Sequence, residues 1–113
     1  MGLDQFAYTI DVGVEDQQDI STWRKHPNLQ GFMEALWRAK GGEGEFNCQA
    51  VELSKRDVLD LVIAITTQDL PETSGFFFGN DADAYYKEAD LEFCNKALKL
   101  LEEGKKVYYS SWW

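Results

Sequence analysis

The sequence predicts an α+β domain in the order βαβααβ, with a small three-stranded, mostly antiparallel sheet packed by three helices. Three observations predict it. Both ends of the chain alternate at period two, internal stretches carry apolar residues at helical spacing, and glycine- or proline-bearing segments separate them. No repeat or linker divides the 113 residues, so one domain spanning 1–113 is expected.

Phe6, Tyr8, Ile10 and Val12 alternate with Ala7, Thr9 and Asp11, which makes a first strand. Residues 13–21 are polar and acidic and read as a loop. Pro27 then keeps His26 away from helical angles. Leu29, Phe32, Met33, Leu36 and Trp37 fall at the spacing of an amphipathic helix, with Asn28 as its N-cap and Gly41 as its stop. Phe46 to Leu53 reads as a second strand. Gln49, Val51 and Leu53 share one of its faces, and Phe46, Cys48 and Ala50 the other. Ser54 and Asp57 resemble a capping box in which Asp replaces the usual Glu.

Val58, Leu61, Val62 and Ile65 form the next helical stripe, ended by residues 69–71. Leu59, Ile63 and Ala64 widen it, so that helix should be largely covered. Phe76, Phe77 and Phe78 stand between Gly75 and Gly79, as a tight turn whose rings plug the core. Asn80 or Asp81 caps a third helix running to about Glu103. Its face is Leu91, Cys94, Leu98 and Leu101, broadened by Tyr86, Phe93 and Leu100. Gly104 sits where a left-handed C-terminal glycine belongs. Val107, Tyr109 and Ser111 alternate with Tyr108, Ser110 and Trp112 in a last strand, and the two terminal strands are expected to pair.

Composition narrows the functional classes. The formal net charge is −9, which argues against a phosphate-backbone binder and fits either a soluble monomer with a solvated acidic surface or a partner for a basic surface. Cys48 and Cys94 are far apart and in no metal-binding spacing, so both read as small buried apolar side chains. Residues 1–4 are not a basic leader and no apolar run approaches membrane length, so no membrane association and a reduced cytoplasmic setting are expected. The myristoylation pattern fails at Phe6, where Ser or Thr is required.

The candidate sites are sparse. Trp23, Arg24, Lys25 and His26 form the one local basic cluster, able to hold an anion or to pair with internal acids. His26 is the single histidine and has no visible nucleophilic partner, so no catalytic residue is assigned. Ser74 and Gly75 offer backbone N–H groups to an anion, without the lysine and spacing of a P-loop. Asn80, Asp81 and Asp83 lack the calcium-loop pattern and suit helix capping better, so no metal and no cofactor are expected. Tyr85, Tyr86, Tyr108, Tyr109, Trp112 and Trp113 supply more aromatic surface than one small core needs. One face of the last strand is expected inside and the other free for contact.

Met1-Gly2-Leu3-Asp4, Trp23-Arg24-Lys25, Ser74-Gly75-Phe76-Phe77-Phe78-Gly79 and Tyr109-Ser110-Ser111-Trp112 occur in that order. The series resembles a group of small bacteriophage and prophage proteins and spans nearly the whole chain. The chain departs from it where Gln5 and Phe6 replace a Met-Tyr pair, and at residues 26–30. The resemblance implies a phage-encoded accessory protein in the host cytoplasm and carries no reaction with it. The expectation is a protein-interaction module acting on a host or viral protein. Its candidate patch comprises Trp23, Arg24, Lys25, His26, Ser74, Gly75, Tyr85, Tyr109, Ser111 and Trp112. Two alternatives are a small-molecule or nucleotide binder, conceivably an enzyme, with a pocket around Arg24, Lys25 and Ser74, and an acidic mimic of DNA. Nucleic acid itself is disfavoured by charge.

Overall fold

A computed structural model of the chain describes residues 3–10, 17–24, 26–67, 70 and 83–112. The elements are β1 (Asp4–Ile10), β2 (Gln17–Arg24), α1 (Pro27–Ala39), β3 (Ala50–Leu53), α2 (Lys55–Thr66), α3 (Asp83–Glu102) and β4 (Lys106–Trp112). The α+β class and the three helices are as expected. Among the described residues the sheet has four strands rather than three, in the order β2-β1-β4-β3, with every neighbouring pair antiparallel.

The additional strand is β2, in the stretch expected to be loop. Its sequence is mostly polar because it lies at the edge of the sheet and pairs only with β1. Backbone ladder bonds and the buried ring of Trp23 hold it, so it needs no regular apolar alternation. The two terminal strands do pair, in register from Asp4 opposite Trp112 to Ile10 opposite Lys106.

Several boundaries differ from expectation for local reasons. β1 begins at Asp4, two residues before the expected start, and runs to Ile10, while positions 11 and 12 of the expected strand lie outside the described residues. β3 is only four residues long, because Cys48 takes φ 63° and breaks the extended run. Cys48 is exposed rather than buried, while its backbone N–H donates to the Ser111 carbonyl at 2.8 Å. Phe46 still enters the core, from the turn ahead of β3. α1 begins at Pro27 with His26 in the capping position, in place of an Asn28 cap. Proline suits the first helical turn because its missing N–H is one of the unpaired donors there.

The Ser54–Asp57 capping box forms as expected, with both reciprocal bonds present. α2 is narrower in its packing than expected. Val58, Leu61 and Ile65 are buried, but Leu59 and Ile63 are 38 % and 57 % exposed. α3 ends at Glu102, and Gly104 follows at φ 86°, the left-handed angle that favours glycine. Asn80, Asp81 and the Phe76–Phe78 turn lie outside the described residues.

All three helices cover one face of the sheet. Ala7, Trp23, Val51, Leu53, Val107 and Tyr109 meet Leu29, Met33, Leu61, Phe93, Cys94 and Ala97 in one core. The Trp23 and Phe93 rings cross edge to face, centroids 5.1 Å apart. No described helix is long and apolar enough to cross a membrane.

Candidate interaction face

The helix-covered side of the sheet carries a polar cluster within the core. Register places Gln5 between Trp23 on β2 and Ser111 on β4, and all three are buried. The Gln5 side-chain amide donates to the His26 carbonyl at 3.0 Å and to the Tyr109 hydroxyl at 2.8 Å. Its oxygen accepts from the His26 backbone N–H at 2.8 Å. The Tyr109 hydroxyl in turn donates to Gln30 Oε1 at 2.6 Å. One glutamine on β1 thus ties the start of α1 to the centre of β4.

Asp90 on α3 anchors the other half of this cluster. Its Oδ1 accepts from the Trp23 indole N–H at 2.8 Å, and its Oδ2 lies 2.7 Å from His26 Nε2. As a carboxylate Asp90 only accepts, so the imidazole proton sits on Nε2 in this arrangement. Tyr86 stacks over the imidazole, centroids 5.0 Å apart. The Tyr86 hydroxyl donates to the Arg24 carbonyl at 2.8 Å and accepts from the Arg24 N–H at 3.2 Å.

A histidine, a carboxylate, a tyrosine and a cysteine in one neighbourhood resemble a catalytic set, but this group is sealed. Gln5, His26, Gln30 and Tyr109 are fully buried and Asp90 is 1 % exposed. Burial, with Asp90 close by, pushes the Cys94 thiol up to about 12, so it supplies no thiolate at neutral pH. Burial likewise drives the Tyr109 phenol far above its ordinary value. What the cluster can do is orient: it fixes β1, β2, α1 and α3 through bonds that any displaced register would leave unmade.

The opposite side of the sheet is built differently. Phe6, Tyr8 and Ile10 on β1 and Tyr108 and Trp112 on β4 project there; none of them packs against the core among the described residues, and all but Trp112 are half-buried. Trp112 is 53 % exposed. The Tyr8 and Tyr108 rings stack at 5.5 Å with 17° between their planes. Burial, with Tyr108 alongside, raises the Tyr8 phenol above its ordinary value. Register continues the row in both directions, to Asp19 on β2 and to Glu52 on β3. The Tyr108 hydroxyl points to Glu52 Oε1, 3.5 Å away. Asp19 also borders a cleft of about 340 Å³ between β2 and α3, where Lys96 and Lys99 stand.

The structure divides the candidate patch between the two sides of the sheet. Trp23, His26, Tyr109 and Ser111 face the core, whereas Arg24 and Trp112 face outward. The Arg24 side chain is 71 % exposed and lies 3.9 Å from Asp4. Arg24 and Ser111 therefore do not line one pocket. Lys25, Ser74 and Gly75 lie outside the described residues, and Tyr85 is placed only as part of the α3 backbone.

Sequence reasoning missed Gln5, Gln30 and Asp90. Asp90 left one trace: it falls between Tyr86 and Phe93–Cys94 on the buried stripe of α3, where an acid needs a partner. Among the described residues, no group of three or more His, Cys, Asp or Glu side chains is arranged to hold a metal ion. No protein-family model, no curated protein and no solved structure matches this chain.

Proposed function

We propose that the chain is a protein-interaction module that docks a basic protein through the open face of its sheet. The observation that carries this reading is the orientation of β1. Its bulky apolar phase, Phe6, Tyr8 and Ile10, points away from the helices, while the smaller Gln5, Ala7 and Thr9 point into the core. With Tyr108 and Trp112 beside them, these side chains make an aromatic surface of the kind that anchors protein interfaces. The net charge of −9 selects a partner of opposite sign. The phage-like series of segments favours a host or viral protein as that partner.

The test is capture by the intact chain, repeated with Trp112→Glu and with Ile63→Glu on the exposed side of α2. The reading expects a basic protein that the Trp112 variant loses and the Ile63 variant keeps. Capture unaffected by Trp112→Glu overturns it. Self-association in sedimentation that Trp112→Glu abolishes assigns the face to a second copy and also overturns it. Nucleic acid in place of protein has the same consequence.

A further inference from the structure

We infer that the open face grips an arginine side chain of its partner at Tyr108 and Glu52. This rests on the reading of that face as the contact surface and adds the chemistry of the contact. Tyr8 and Tyr108 sit opposite each other on neighbouring strands with their rings stacked. Two rings standing side by side on a sheet shield each other's inner faces. The next position across the sheet from Tyr8 lies on β2 and the next from Tyr108 on β3.

Each of these positions bears a carboxylate, Asp19 on β2 and Glu52 on β3. A ring face attracts a cation through its quadrupole, and an adjacent carboxylate supplies the full opposite charge. Glu52 is the better of the two. Asp19 borders a cleft that already contains Lys96 and Lys99. The Glu52 carboxylate has no ion-pair partner among the described residues. Lys40 reaches only its backbone carbonyl, at 2.5 Å, and spends its charge on Asp57.

Lys106 lies on the same strand face as Tyr108 but forms no ion pair with Glu52. The cation–π contact within the described residues is Arg38 over Trp37, elsewhere in the fold. Arginine fits better than lysine. Its planar guanidinium can lie flat on the Tyr108 ring while its edge N–H groups donate to Glu52, which a compact ammonium cannot do at once. β3 is a short edge strand, so a partner segment can approach this position from the side.

The experiment titrates the intact, isotope-labelled chain with a blocked peptide of alternating arginine and glycine, followed by NMR. The same peptide with citrulline for arginine keeps the shape and removes the charge. The inference expects the arginine peptide to move the Tyr108 ring and Glu52 signals and the citrulline peptide to leave them in place. Glu52→Gln should weaken binding by roughly 2- to 5-fold, and Tyr108→Leu by a similar factor. Shifts spread evenly over the acidic surface, or affinity unchanged in Glu52→Gln, overturn it. If Trp112→Glu still abolishes capture of the basic partner while Glu52→Gln changes neither measurement, the docking face stands and the arginine contact falls.

Discussion

Replacing Asp90 by Ala removes two acceptors at once from a site closed off from the surface. The Trp23 indole N–H loses its partner at 2.8 Å, and His26 Nε2 loses its partner at 2.7 Å. Each buried donor left unsatisfied costs about 1–3 kcal/mol. Two such donors together put the expected loss for Asp90→Ala at about 2–6 kcal/mol. A chain of 113 residues has a total stability of about 6–17 kcal/mol, so the variant loses a large fraction of it. Urea unfolding followed by tryptophan fluorescence reads this directly. With a slope of about 2 kcal/mol per molar, the midpoint should fall by about 1–3 M. Asp90→Asn keeps an acceptor for Trp23 and should cost less. Asp90→Ala combined with Trp23→Phe should show a coupling of about 0.5–3 kcal/mol, because both changes remove the same bond. A loss below about 1 kcal/mol for Asp90→Ala, at unchanged slope, would refute the view that this carboxylate organises the core.

Three further outcomes are expected. A thiol reagent at pH 8 should label Cys48 quickly and Cys94 only after unfolding, since Cys94 is buried and its thiol is raised from 9.0 to about 12, which mass spectrometry can follow. Burial alone would raise the Asp57 carboxyl, but Lys40 and the Ser54 N–H outweigh it and hold the group below its ordinary value of 3.8. Its stabilising contribution is therefore complete above pH 3.8 and fades as pH falls through the lower folded value, and Asp57→Asn should flatten that acid limb in pH-dependent unfolding. Gly42→Ala would drive a methyl group into the Trp37 ring, which packs on Phe46 at 5.0 Å, and should cost about 1–3 kcal/mol, read as a lowered thermal midpoint.

The sequence revealed those features whose causes are local. Ser54 and Asp57 cap a helix through atoms three residues apart, and Gly104 answers a backbone angle at its own position. The alternation of β4 was visible because one side of it enters the core. β2 was hidden because an edge strand can be polar and still be held by its neighbour. The orientation of β1 was hidden because period two separates two faces without saying which one the helices cover. The polar core was harder still. Gln5 bonds to a carbonyl 21 residues away and to a hydroxyl 104 residues away, and nothing in its neighbourhood announces either partner. Of the outward-facing surface, Tyr108 and Trp112 were legible from their strand. The carboxylate opposite Tyr108 emerged only with the β3–β4 register.

The middle of the sheet joins the earliest strand to the latest, Asp4 beside Trp112. On a ribosome, β1 and β2 would form a lone hairpin with no third strand beside them until residues 106–112 emerged. Until that moment one of the long edges of β1 is unclaimed. Closing so large a loop is slow relative to hairpin formation, so assembly of this molecule is governed by the arrival of its final strand. Stopping synthesis a few residues before Lys106 should thus leave a protease-sensitive chain, not a slightly smaller version of the same shape.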